Sequence, residues 1–60
     1  MKWYNYKNEW INIEKMYAIE LNYDTLIRFH YSSDDVHQLF FPLKEERDAE
    51  FEKIKKLMGV

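Results

Sequence analysis

The two histidines, His30 and His37, are the residues most readily tied to chemistry, because imidazole binds metal ions and exchanges protons near neutral pH. They flank Ser32–Asp35, a polar run typical of a turn between strands. An even number of loop residues would place the imidazoles opposite each other. A zinc site needs a third protein ligand, and the adjoining strand is expected to present Met16 beside them. We therefore predict no metal site and keep the facing pair as an alternative.

The other acids and nucleophiles of the chain have structural explanations. Asp34-Asp35 and Ser32-Ser33 suit a turn. Glu45-Glu46 suits the first turn of a helix, where the amide dipoles favour negative charge. The chain has no cysteine, no glycine-rich phosphate loop and neither a G-x-S-x-G nor an H-E-x-x-H motif. We predict that the protein is not an enzyme and uses no cofactor.

Aromatic residues are more prominent than any acid or base. Ten of the eleven precede the only proline, Pro42, and the eleventh is Phe51. Tryptophan and tyrosine contribute much of the binding energy in many protein–protein contacts. We therefore predict an interaction surface built from the aromatic start of the chain and the apolar residues just before Pro42. The predicted surface consists of Trp3, Tyr4, Tyr6, Trp10, Leu39 and Phe41.

The length of the chain limits its stability. Its 60 residues predict one small domain, 1–60, which buries only about 60% of the surface that its unfolded chain exposes. Without cysteine, no disulfide or zinc–thiolate site can reinforce so small a core. We therefore expect a core rich in aromatics, or self-association. The prediction is a homodimer that also binds an unidentified protein.

Hydropathy and charge exclude several classes of protein. No apolar run reaches the about 18 residues of a membrane-spanning helix, and the first residues contain no apolar signal-peptide core. We expect a cytoplasmic protein without membrane contacts. Residues 1–43 carry four basic and six acidic side chains, and residues 44–60 carry five of each. Neither part offers the basic field that nucleic-acid binding relies on.

Single-stranded nucleic acid is the alternative partner. Aromatic side chains on a sheet stack with bases at about 1–3 kcal/mol per base, and Lys2, Lys7 and Arg28 accompany the aromatics. An antiparallel sheet followed by one helix is also similar in architecture to single-strand-binding proteins that dimerise through the helix. No residue motif accompanies this similarity.

The last third of the chain predicts one amphipathic helix between Lys44 and Met58. Acidic residues are concentrated in its first turn and lysines in its last, as the helix dipole favours. Gly59 is a natural stop, whereas no Ser, Thr, Asp or Asn caps the start. The predicted apolar side consists of Leu43, Arg47, Phe51, Ile54, Leu57 and Met58.

The first two thirds predict strands separated by turns. An odd loop around Tyr23 keeps Leu21 rather than Glu20 in the core, and an even loop at 32–35 pairs Tyr31 with Val36. The predicted strands are Trp3–Lys7, Trp10–Ile13, Met16–Leu21, Leu26–Tyr31 and Val36–Phe41, with a break at Glu14-Lys15. The face expected to receive the helix consists of Tyr17, Ile19, Leu21, Ile27, Phe29, Tyr31, Val36 and Phe40.

The opposite sheet face is expected to be more apolar than a solvated face should be, because it carries Leu26, Leu39 and Phe41. Either residues 3–13 or a second molecule should cover it.

Together these patterns predict an α+β domain. A small antiparallel β-sheet of four to five strands (residues 1–43) carries one C-terminal amphipathic α-helix (residues 44–58) on one face. The predicted function is a non-enzymatic protein–protein interaction module. It would be a small inhibitor or accessory factor, of the kind that phages and mobile elements carry.

Overall fold

The computed structural model describes residues 2–59 and contains five strands and one helix in those residues. Strands β1 and β2 pair as an antiparallel hairpin, and β3, β4 and β5 form a separate antiparallel sheet, the main sheet, in that order. The predicted α+β class and the C-terminal helix are confirmed, but the prediction of one sheet of four to five strands is wrong. The elements are β1 (Trp3–Tyr6), β2 (Glu9–Asn12), β3 (Ala18–Asn22), β4 (Leu26–His30), β5 (Val36–Phe40) and α1 (Lys44–Met58).

A 3-10 turn at Ile13–Lys15 separates the hairpin from the main sheet. The Asn12 side chain accepts a hydrogen bond from the Glu14 amide at 3.1 Å, which stabilises the start of the turn. The Ile13 amide donates to the Lys2 carbonyl at 2.9 Å, and the Ile13 side chain is buried. The predicted break at Glu14-Lys15 therefore redirects the chain and prevents β2 from continuing into the main sheet.

The helix has the predicted bounds, Lys44–Met58. Gly59 adopts a left-handed conformation (φ 86°), and its amide donates to the carbonyls of Lys55 and Lys56. Ile54 is fully buried, and Phe51, Leu57 and Met58 pack against the core. Leu43 does not extend this apolar side, because 61% of its surface is exposed.

Arg47 connects the helix to the loop between β3 and β4. It is only 5% exposed, and its guanidinium donates to the carbonyls of Tyr23 and Leu26, each at 3.4 Å. It also donates to Asp48 Oδ1 at 2.8 Å. Arg47 therefore belongs to the packed side of the helix, as predicted, with its charge shared between a carboxylate and backbone oxygens.

The hairpin and the helix pack on the same side of the main sheet, which we call its core face. We call the opposite side of the main sheet the outer face. Among residues 2–59, neither the hairpin nor the helix packs on it. The buried core cluster consists of Tyr4, Ile11, Ile13, Ile27, Phe29, Leu39, Phe41 and Ile54.

The register of β3 against β4 is the predicted one. Leu21 pairs with Ile27 and Ile19 with Phe29, so these four side chains share the core face. Leu21 lies on the edge strand and is 41% exposed, so it is not part of the core as predicted. The odd loop Tyr23–Thr25 makes this pairing possible, and Tyr23 adopts a positive φ of 53° to close it. Placing Glu20 on the outer face avoids burying a carboxylate.

The register of β4 against β5 differs from the prediction by one residue. Ile27 pairs with Leu39 and Phe29 with His37, whereas the even loop required Ile27 opposite Phe40. The Tyr31 amide donates to the Asp35 carbonyl at 2.9 Å, which leaves a three-residue tip at 32–34. The Ser32 hydroxyl accepts hydrogen bonds from the amides of Asp34 and Asp35 and stabilises this odd loop.

This slip moves every β5 side chain to the opposite face. Leu39 enters the core, whereas Val36 and Phe40, predicted to lie under the helix, lie on the outer face. The predicted register would also have turned Gln38 toward the core, where an amide without a partner is costly. In the structure His37 lies on the core face instead of Gln38, and its ring interacts with the carboxylate of Glu9 at the edge of the core.

Candidate interaction surface

Two tryptophans lie on the side of the hairpin that faces away from the core. Trp3 pairs with Asn12 and Trp10 with Asn5, so the four side chains share one face and alternate across it. Trp10 is 65% exposed and Trp3 is 44% exposed. We call Trp3, Asn5, Trp10 and Asn12 the tryptophan face. Of the six residues that the sequence predicts for an interaction surface, only these two tryptophans are exposed large apolar residues.

The hairpin closes with a two-residue turn that fixes this face. Lys7 and Asn8 both have positive φ values, 45° and 70°, as a type I′ turn requires. Asparagine tolerates this conformation well, and the Asn5 side chain adds a hydrogen bond to the Glu9 carbonyl at 3.2 Å. The strand twist therefore matches the turn, and the two tryptophans keep a fixed relative position.

Tyr4 and Tyr6 project from the opposite side of β1 and bind the helix. The Tyr4 hydroxyl donates to Oε1 of Glu50 at 2.7 Å, and the Tyr6 hydroxyl donates to Oε2 of Glu46. Residues two apart in a strand and four apart in a helix are both separated by about 6–7 Å. Both hydrogen bonds can therefore form at the same time. Because the later strand residue pairs with the earlier helix residue, the helix runs antiparallel to β1.

These hydrogen bonds keep both tyrosines protonated. Burial, followed by the hydrogen bond to Glu50, raises the pKa of Tyr4 far above its usual value. The hydrogen bond to Glu46 raises the pKa of Tyr6 to about 12. Burial alone would raise the pKa of Glu50, but hydrogen bonds from Lys53 and Tyr4 outweigh it, and the pKa is lowered. The carboxylate is therefore ionised and doubly hydrogen-bonded at neutral pH.

The other predicted surface residues lie inside the molecule. Tyr4, Leu39 and Phe41 are 4%, 1% and 4% exposed. Tyr6 is partly buried, and its ring lies 4.7 Å from that of Phe41, centroid to centroid. These four residues fix the hairpin on the core and support the tryptophan face from behind.

The two histidines do not face each other, which corrects the predicted pair. His30 pairs with Val36 on the outer face, and His37 pairs with Phe29 on the core face. Each ring has its own carboxylate: His30 Nε2 lies 3.1 Å from Glu20 Oε1, and His37 Nε2 lies 3.1 Å from Glu9 Oε1. Within residues 2–59 no group of three or more His, Asp or Glu side chains is arranged to hold a metal ion.

A shallow groove of about 260 Å³ lies between the start of the hairpin and the end of the helix. Of its lining side chains, Lys2 and Glu14 are charged and Ile13, Met16 and Met58 are apolar. The described part of the chain also contains no helix long and apolar enough to cross a membrane.

Three exposed aromatics were not among the predicted contact residues. Tyr23 is 84% exposed in its loop, Phe40 is 68% exposed on the outer face, and Tyr17 is 65% exposed just before β3. The turn chemistry around Tyr23 could have indicated its exposure from sequence. The sequence pattern predicts Phe40 and Tyr17 on the core face, which is wrong for both as buried residues, because no local signal separates them from Phe29 and Tyr31.

Comparison with protein-family models, curated proteins and solved structures found no match to this chain.

Proposed function

We propose that this protein is a non-enzymatic interaction module that binds another protein through its tryptophan face. The observation that carries the proposal is the pair Trp3 and Trp10, held on one rigid face and largely exposed. Tryptophan is the residue type most enriched in binding hot spots. A small cytoplasmic inhibitor or accessory factor that also self-associates is the role that we infer.

The hairpin is well suited to present such a face without losing order. Two strand–helix hydrogen bonds and the buried ring of Phe41 hold its inner side. Binding would therefore require little reorganisation of the backbone, which lowers the entropic cost of association. Lys7 at the tip and the asparagines between the rings offer polar groups for the rim of a contact.

The test is Trp10→Ala, compared with wild type in quantitative capture of proteins from the source cell. We expect the specific partner to be lost, because removing a hot-spot tryptophan costs at least about 2 kcal/mol of binding free energy, or about thirtyfold in affinity. Tyr23→Ala is the matched control, since Tyr23 is an exposed aromatic at another position. Equal capture by both variants and wild type would refute the tryptophan face.

Single-stranded nucleic acid is the second candidate, supported by Phe40 and Arg28 on the outer face and by Tyr17, whose ring lies 6.1 Å from that of His30, centroid to centroid. Glu20, which lies beside Arg28 and His30, opposes it because it reduces the positive charge there. Salt separates the two functions. Oligonucleotide binding should weaken steeply between about 50 and 200 mM salt, whereas an aromatic protein contact should change little. Tight, salt-sensitive oligonucleotide binding would replace the protein-binding proposal.

A further inference from the structure

The outer face of the main sheet is a regular surface on which, among the described residues, neither the hairpin nor the helix packs. The hairpin, which could have covered it, packs on the core face together with the helix. The shifted register of β5 also adds two apolar side chains to it: Phe40 is 68% exposed and Val36 is 39% exposed. The face consists of Ala18, Glu20, Asn22, Leu26, Arg28, His30, Val36, Gln38 and Phe40. Leu26 is only 3% exposed, so Phe40 and Val36 are the exposed large apolar side chains of this face.

Its centre carries both signs of charge side by side. Glu20 pairs with Arg28 across β3 and β4, and Gln38 completes this row on β5. The side chains of Glu20 and Arg28 are 46% and 37% exposed, and the closest approach of their charged atoms is 4.0 Å. Hydrogen bonds from Asn22 and His30 to the Glu20 carboxylate lower its pKa, so it is ionised at neutral pH. Both charges are therefore present and accessible.

We infer that the outer face is the contact through which two copies of this chain associate. A twofold contact brings the same surface of each copy together, so it must be self-complementary. A face with one anion beside one cation meets this requirement, since Glu20 of one copy can lie against Arg28 of the other, twice per dimer. A surface of one sign would instead indicate a partner of opposite charge.

The size of the face sets the strength of the contact. Three strands spaced about 4.8 Å apart, each with five residues rising about 3.4 Å, give a face of roughly 14 by 17 Å. Two such faces present roughly 480 Å² of sheet in total, well below the about 1,600 Å² of a standard interface, so the contact is a weak and transient one. We therefore expect a dimer that exchanges readily and forms only at high protein concentration. This inference rests on the self-association part of the proposed function and does not involve the tryptophan face.

Charge exchange between the two positions tests the contact directly. Glu20→Arg gives a face with two cations and Arg28→Glu gives one with two anions, so each variant alone should repel its own copy. We expect sedimentation equilibrium to show at least about a tenfold higher dissociation constant for each variant. An equimolar mixture should recover dimerisation as a heterodimer. Circular dichroism and thermal melting verify that both variants are folded.

An apolar change tests the same face without altering charge. Phe40→Ser should weaken the dimer, whereas Leu43→Ser should not, because Leu43 is similarly exposed but precedes the helix and lies outside the outer face. A wild-type chain that stays monomeric up to several hundred micromolar overturns both the inference and the self-association it rests on. A dimer that none of the outer-face changes weakens overturns the inference alone. If the wild type is monomeric and binds another protein that the Phe40→Ser variant no longer binds, the outer face is the contact for that protein instead of a second copy.

Discussion

Tyr4 and Tyr6 carry hydroxyl groups whose protons are held by glutamates of the helix. Both donate to carboxylates at the boundary between hairpin and helix. Burial, followed by the hydrogen bond to Glu50, raises the pKa of Tyr4, and the hydrogen bond to Glu46 is the main cause of the raised pKa of Tyr6. Hydrogen bonds that involve a charged partner contribute about 1.5–3 kcal/mol, more than those between neutral groups. At this scale the hydroxyls of Tyr4 and Tyr6 join the hairpin to the helix.

The raised pKa of Tyr6 predicts that stability decreases in alkali. Its pKa is about 12 in the folded protein and about 10 when unfolded, so its contribution is fully present below pH 10 and is lost between about pH 10 and 12. The Tyr6→Phe variant lacks this contribution. In urea unfolding at pH 9, 10 and 11 the difference between wild type and variant should shrink as the pH rises. A constant difference would show that the hydrogen bond to Glu46 does not form.

At the scale of elements, the hairpin and the helix are joined because two residues along the strand and four residues along the helix span similar distances. Tyr4 and Tyr6 are two residues apart in β1, and Glu50 and Glu46 are four apart in α1, so both bonds form without distorting either element. The hairpin alone would be marginally stable in water, as isolated two-stranded sheets are. Its position therefore depends on the helix, which comes last in the chain.

Removal of the Tyr4 hydroxyl tests this connection. Tyr4→Phe keeps the buried ring but removes the donor to Glu50, and we expect the free energy of unfolding to decrease by about 1.5–3 kcal/mol. Tyr23→Phe is the control, since its side chain is 84% exposed, and should change stability by less than about 0.5 kcal/mol. Chemical denaturation at neutral pH measures both. Equal values for the two variants would contradict the assigned role of Glu50.

At the scale of the whole molecule, the hairpin, the main sheet and the helix share one core. Hairpin, main sheet and helix each contribute fully or nearly fully buried side chains to it, including Ile11, Phe29 and Ile54. A core of this size supports a stability of only about 3–5 kcal/mol. Loss of any one central side chain should therefore remove a large part of the free energy of unfolding. A dimer that covers the outer face would add to this stability by mass action.

Truncation of Ile54 tests how much this single core carries. Ile54→Ala should cost about 2–5 kcal/mol and leave the chain largely unfolded, whereas Ile54→Val should cost about 0.5–1.5 kcal/mol and stay folded. Thermal melting followed by circular dichroism distinguishes the two. If Ile54→Ala melts within a few degrees of wild type, the helix is not packed on the core as described.

The sequence by itself determined the helix from Lys44 to Met58 and the register of the first main-sheet hairpin. Those features depend on local spacing or on one decisive choice, such as Glu20 against Leu21, and the structure agrees with them. The second hairpin offered no such choice, because either register buries one polar side chain, Gln38 or His37. The odd loop stabilised by Ser32 sets the register of the second hairpin. That register determines on which face Leu39, Phe40 and both histidines lie.

Only the tertiary structure decided which aromatics are surface and which are core. Trp3 and Tyr4 are adjacent in sequence and chemically similar, yet the docking of the hairpin buries one and exposes the other. That docking depends on the distant residues Glu46 and Glu50, which pair with the hairpin across more than half of the chain. Contacts between residues so far apart leave no local pattern in a sequence, so the tryptophan face and the outer face emerged only from the fold.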